Sequence, residues 1–443
     1  MQIPKHKPMM MQVQDLRIEE DVLPFFNFTN NVHAENALLH MLRTAPETEA
    51  AVEERICIIK GIRSNWAVLE QFTYRRLDLM EVHAFLENIA GTGLAYRQGK
   101  LRAWLRLKVF EAERTQLEAK LVQLILLLHG LQRQYFTRLS TTTFPDSFKL
   151  QLLEAVAFLR SLNLETYAGL VHERRFRTRD IVAFAELLAT IAPQQVKDFW
   201  QFFFRFEAYW SVARAIEVHG FEFATFSNGS FRIADFYHPV VKQPVKNTID
   251  LDTTRNVVLL TGPNMSGKST LLKAISLCVY LSRVGFPVPA AACTVPFFQT
   301  VSVAINLNDN LRDGYSHFMT EIQNLKMVLH ATRNGHKCFA VFDELFRGTN
   351  VDDALDITTQ TINGLATFKN SYFFVSTHLL ELEEQLETER SQRIKKYFIA
   401  CNLQKGVPTF TYKLQEGWSQ LRIGRILFEQ EGLSRLLEVQ HSV

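Results

Sequence analysis

The stretch Thr261–Thr270, TGPNMSGKST, decides how this chain is read. A short apolar run, NVVLL (256–260), precedes it, and LLKAISLCVYLSRVG (271–285), with the apolar spacing of a helix, follows. Gly262, Gly267, Lys268 and Ser269 satisfy the pattern G-x-x-x-x-G-K-[ST], in the strand-to-helix context that the pattern needs. Its glycines let backbone N–H groups curl around an anion without Cβ interference. The new helix aims its free donors and positive dipole end at the same point. The loop, with Pro263, Asn264, Met265, Ser266 and Thr270 among its members, is therefore the expected cradle for nucleotide phosphates. Lys268 is expected to neutralise β- and γ-phosphate oxygens, and Ser269 to offer its hydroxyl to Mg²⁺.

Two further strand ends belong to the same chemistry. CFAVFDELFRGT (338–349) finishes an apolar run on Asp343, suited to supporting the metal shell, and Glu344, suited to polarising an attacking water. SYFFVSTH (371–378) ends on His378, at the edge of a parallel sheet where nucleotides bind, within reach of the γ-phosphate or the water.

Outward from this centre the chain has two grammars. From about Leu38 to His219 it reads as helix after helix; in LEAKLVQLILLLHGLQRQYF (117–136), Leu117, Leu121, Leu124, Ile125, Leu128, Leu131 and Tyr135 form one stripe. Turn residues break the helices near Gly91–Gly93 and Ser140–Ser147. Near Phe221 short β-like segments begin, with an Asn228–Gly229 turn, and apolar strands then alternate with helices, which predicts a mainly parallel sheet covered on both faces. The expected fold class is a multidomain α and α/β protein: an all-helical region, residues 1–220, followed by a phosphate-loop domain, residues 221–443.

Composition narrows the function. At 443 residues and 47% hydrophobic, the chain can bury two or three cores, and its 35 phenylalanines, many in groups such as FWQFFFRFEAYW (199–210), are expected to pack them. A formal charge of +3 is too mild to diagnose nucleic-acid binding, although YRQGKLRAWLRLK (96–108) and HERRFRTR (172–179) are local basic runs. Cys57, Cys278, Cys293, Cys338 and Cys401 form no C-x-x-C pair, so a disulfide framework or zinc site is not expected and a cytoplasmic setting is. No secretory h-region opens the chain, and no run is long and apolar enough to span a membrane.

Taken in order and spacing, TGPNMSGKST, DGYSHFMTEI (313–322), FDELFRGTN (342–350) and STHLLELEE (376–384) resemble the ATPase domain of the MutS family, the mismatch-repair relatives of ABC-type ATPases. FYHPVV (236–241) is similar to the segment leading into that domain, and NALLHMLRTAPETEAAVEERICIIKGI (36–62), more weakly, to the start of the family's helical core and lever. The resemblance implies ATP with Mg²⁺ and a homodimer in which nucleotide lies between one subunit's phosphate loop and the other's signature segment. Ser316 would then act in trans on the γ-phosphate, Asn264 would respond to nucleotide state, and RGTNVDD (347–353) would lie at the subunit interface. LQEGWSQLRIGRILFEQEGL (414–433) is similar to the family's closing helical segment, which supports dimerisation.

The departures are specific. Tyr315 and His317 stand where the usual signature has Arg and Thr. Too few residues precede the core-like segment for the mismatch-reading and connector domains, and Phe184–Glu186, a Phe-x-Glu, falls inside a helical pattern and is read as coincidence. The expectation is a trimmed MutS: a dimeric ATP-gated clamp on DNA, of mismatch-repair type but without an aromatic wedge, with basic residues such as Arg102, Arg106 and Lys108 on phosphates and a repair or recombination protein as a further partner. The alternative is an ATP-driven switch whose helical region binds a protein. A non-hydrolysing nucleotide sensor is disfavoured by the intact Lys268, Ser269, Asp343 and Glu344.

Overall fold

The computed structural model describes residues 11–91, 104–105, 108–305, 317–346, 348–386, 388–404, 407–419, 428–429 and 433–437. Ser316, Tyr315, Arg347 and most of the basic run 96–108, with Arg102 and Arg106, lie outside these residues. The chain divides into two compact units.

One unit, residues 26–44 and 53–218, is helical. Its helices include Val32–Arg43, Arg76–Gly91, Glu111–Gln134, Asp146–Ser161, Leu164–His172, Thr178–Thr190 and Pro193–His219. Local chemistry sets their starts: Asn31 accepts Ala34 N–H at 2.9 Å, and Asp180 reaches back to accept Arg177 N–H at 3.0 Å. The stripe on Glu111–Gln134 is buried as its spacing predicts, from Leu117 to Leu131. Pro193–His219 supplies the aromatic centre, where Phe203 and Phe206 are fully buried and Phe72, Phe136 and Trp200 pack around them in edge and tilted contacts. Phe184 is fully buried, its ring 4.5 Å from that of Tyr167, so the aromatic of the Phe-Ala-Glu triplet is a core residue. No described helix is long and apolar enough to cross a membrane.

The other unit, residues 11–25, 45–52 and 219–443, holds two sheets. Its strands are β1 (Met11–Gln12), β2 (Thr225–Phe226), β3 (Phe231–Phe236), β4 (Asn247–Leu251), β5 (Val257–Thr261), β6 (Ala292–Val295), β7 (Thr300–Ala304), β8 (Cys338–Phe342), β9 (Tyr372–Ser376), β10 (Ile394–Gln404) and β11 (Val407–Glu416). The larger sheet runs β1-β7-β8-β9-β5-β10-β11, parallel except for the β10–β11 pair. Its central strands are buried along their whole length, as a sheet covered on both faces requires. Side-chain alternation assigns the covers: Ala340, Phe342, Phe373 and Val375 share a core with residues of helices His317–Arg333 and Val351–Leu365, while Phe339 and Phe374 meet Phe231 of the smaller sheet.

Two features depart from the sequence pattern. The Asn228–Gly229 turn closes no β2–β3 hairpin, because β6 lies between those strands in the order β2-β6-β3-β4. Leu414–Glu416, read as part of a helical segment, belong to β11; of the rest of that segment, 420–427 and 430–432 lie outside the described residues.

Candidate nucleotide site

Strand order brings the three motifs together. β8, β9 and β5 are neighbours and parallel, so the chain leaves all three at one edge of the sheet. That places Asp343 and Glu344, then His378, then the phosphate loop side by side, although more than a hundred residues separate His378 from Lys268.

The loop is shaped by its glycines. Gly262 has φ +148° and Gly267 φ +94°, and a Cβ on Gly267 would come within 3.2 Å of the Tyr412 ring. Met265, also at positive φ, turns its side chain outward and is 75% exposed. Helix Lys268–Val284 starts directly after Gly267, with its first N–H groups facing the loop. Ser266 Oγ is buried without a protein partner, an orphaned donor inside the cradle. Lys268 is itself buried, its ammonium donating to the carbonyls of Gly262 at 2.9 Å and Pro263 at 3.2 Å and lying 3.3 Å from His378 Nε2. Burial pushes Lys268 below the ordinary lysine value, while Glu344 and Asp343 pull it back up.

The carboxylates are held separately. Ser269 Oγ donates to Asp343 Oδ2 at 2.5 Å, and Ser376 Oγ, one strand over, donates to Asp343 Oδ1. Glu344 pairs with His378 Nε2 at 2.6 Å, and its own N–H donates to Ser376 Oγ at 3.0 Å. Ser376 thus ties the two acidic residues together; its place beside Thr377 and His378 at a strand end was the available sequence signal. Asn264 faces a small cavity of about 180 Å³ with Glu344, Phe346 and His378.

A larger cavity, about 380 Å³, opens on the other side of Gly267 and Thr270. Tyr237, Val245, Leu271, Ile399 and Tyr412 give it a mostly apolar lining. Asn247 frames it from behind: buried, it donates to the carbonyls of Val245 at 3.1 Å and Tyr412 at 3.0 Å, and accepts Leu414 N–H at 2.8 Å. Sequence reading missed this wall entirely.

These residues fit a nucleotide triphosphate with Mg²⁺. The glycine cradle and the free Ser266 hydroxyl suit phosphate oxygens. The Ser269–Asp343 pair suits a hard cation that takes few protein ligands and completes its shell with phosphate and water. No group of three or more His, Cys, Asp or Glu side chains that could hold a metal ion occurs among the described residues.

Comparison with known proteins covers this same region. Residues 258–431 match the family model MutS domain V. The DNA mismatch repair protein MutS of Listeria welshimeri is 32% identical over 197 residues, 43% of this chain and 22% of that protein. The MutS proteins of Bacillus pumilus (32% over 199 residues, 43% of this chain and 23% of that protein) and Lysinibacillus sphaericus (31% over 215 residues, 47% and 24%) give the same picture. The matched part is under a quarter of the length of these relatives. It is through this segment, with the phosphate loop at its start, that the chain resembles the MutS family.

Proposed function

We propose that this protein binds and hydrolyses ATP with Mg²⁺ and works as a homodimer, paired through residues 221–443, that closes on DNA in a mismatch-repair type of process. The observation that carries the reading is the convergence of phosphate loop, Ser269–Asp343 and Glu344–His378 on one sheet edge. Lys268 exchanges its loop carbonyls for β- and γ-phosphate oxygens, and the cavity beside Gly267 takes the base. Mg²⁺, held by Ser269 and supported by Asp343, would neutralise charge on the phosphates. Glu344 accepts the proton of the attacking water, and His378 orients Glu344 and contacts the γ-phosphate. Asn264 lies where it senses the γ-phosphate, and Ser316 completes the partner's site. Support for DNA comes from the MutS relatives, which are DNA mismatch repair proteins; the helical unit would carry the contact, Lys108 included.

Two substitutions test the chemistry. Lys268→Ala should abolish measurable ATP binding, whereas Glu344→Ala should keep ATP bound and lower kcat by about 10²-fold or more. Wild-type turnover in Glu344→Ala would remove Glu344 from its role. Fluorescence anisotropy against matched, mismatched, branched and single-stranded DNA, without nucleotide, with ADP and with a non-hydrolysable ATP analogue, tests the rest. Nucleotide-dependent binding that weakens steeply with salt is expected. ATPase activity with no DNA binding would favour the second reading, an ATP-driven switch that binds a protein, which the mild net charge and the exposed Leu150 and Leu153 on one helix support.

A further inference from the structure

Beyond β8 the chain makes a turn in which two non-glycine residues have left-handed backbone, Glu344 at φ 56° and Phe346 at φ 63°. Such a conformation is unfavourable for a bulky side chain and persists only where neighbours fix it. Ser376 fixes the first residue through the Glu344 N–H. The second is fixed from another element: Glu321 Oε2 accepts Phe346 N–H at 2.8 Å.

Glu321 is 2% exposed and stands on helix His317–Arg333, the helix into which the signature segment leads. The same helix meets the turn twice more. The Phe318 ring lies 5.9 Å from that of Phe346, and a Cβ on Gly348 would come within 3.0 Å of Phe318 Cβ. A buried carboxylate is a demanding acceptor to place against a backbone N–H, since it must be desolvated first. Its specific effect is to hold the turn in one register.

We infer that Glu321 is a positioning residue for hydrolysis: by holding Phe346 N–H it fixes the turn that aims the Glu344 carboxylate at its water. The inference rests on the reading of Glu344 as the water-polarising group. Lys268 and Ser269 are held by the loop carbonyls and Asp343, so binding and chemistry should separate when Glu321 is changed.

The test is steady-state hydrolysis and equilibrium binding of Mg·ATP by the full chain. Glu321→Met keeps the volume and removes the acceptor, and Glu321→Gln keeps an acceptor oxygen. In Glu321→Met, kcat should fall about tenfold or more while the Kd for ATP stays within about twofold, and Glu321→Gln should retain most of the rate. Parallel losses of rate, binding and Tm in Glu321→Met would make the residue merely structural, and an unchanged kcat would sink the inference. Gly348→Ala gives an independent reading if Glu321→Met does not fold. Its new Cβ presses on Phe318, kcat should fall with Kd retained, and an unchanged kcat overturns the coupling. A wild-type chain that turned over no ATP would count against the whole site's assignment and not against Glu321.

Discussion

Glu207, on helix Pro193–His219, is fully buried and accepts three hydrogen bonds: from Asn30 N–H at 2.5 Å, Asn31 Nδ2 at 2.9 Å and the Tyr74 hydroxyl at 2.5 Å. One turn on, Ser211 Oγ donates to Phe26 O and accepts Phe28 N–H, so two polar residues of an aromatic helix fasten the segment 26–31. The donors do not offset desolvation, which pushes the Glu207 carboxyl up to about 6. The folded protein therefore holds a proton that the unfolded chain, with an ordinary carboxyl near 4.5, has released. The stabilising difference is present below pH 4.5 and is lost as pH rises through about 6, a change of ~2 kcal/mol. Glu207→Gln removes this titration. Urea midpoints of wild type and variant, measured from pH 4 to 7, should shift relative to each other across that window, with the wild type losing ground as pH rises. Parallel midpoints would mean that the carboxyl titrates normally despite its burial.

Single elements show what local sequence can and cannot carry. The phosphate loop and the acidic strand end were legible because each is a short run of residues whose types are forced by backbone geometry or by charge at a strand end. That these ends sit side by side follows from the order β8-β9-β5, which no local pattern contains. β1 is only two residues long, and in β10 Lys395 and Lys396 interrupt the pattern before the apolar run Tyr397–Cys401, so neither reads as a central strand from its first residues. β11 did carry a signal, the alternation Phe410, Tyr412, Leu414, broken in structure by a bulge at which Tyr412 takes φ 56°. Glu321 was marked too, as a lone carboxylate on the stripe Phe318, Leu325, Val328 of its helix. Asn247 had no such mark, since one amide at the start of a strand looks like an ordinary turn residue. Its function follows from what it joins: the loop at Val245 and the bulge at Tyr412, opposite walls of the cavity beside Gly267. Asn247→Ala should therefore weaken ATP binding about tenfold, ~1.4 kcal/mol, and leave inorganic tripolyphosphate, which needs only the loop, unaffected. Competition titrations with both ligands measure this, and an equal loss for both would place the effect in the loop instead of the base cavity.

At the scale of the whole molecule, the phosphate loop and its carboxylates sit in one unit, while Ser316, by the proposed dimer, serves the other subunit's nucleotide. Each complete site then needs Lys268 from one chain and Ser316 from its partner. Lys268→Ala and Ser316→Ala homodimers each lack one of these at both sites. A mixed dimer concentrates both defects in one site and leaves the other whole: the Ser316→Ala subunit supplies Lys268 and the Lys268→Ala subunit supplies Ser316. If subunits exchange freely, half of an equimolar mixture is mixed dimer with one working site of two, so mixing two inactive variants should restore about a quarter of the wild-type rate per chain. Action within a single chain predicts no recovery, because every subunit then carries a defect of its own. Hydrolysis measured as the ratio of the two variants is varied, peaking at equimolar mixture, distinguishes the cases. A flat profile at the level of two inactive variants would place Ser316 in its own subunit's site, and a fully active Ser316→Ala homodimer would place it outside the reaction. A peak would also make hydrolysis conditional on pairing, the property through which opening and closing of a dimer could be coupled to whatever the helical unit holds.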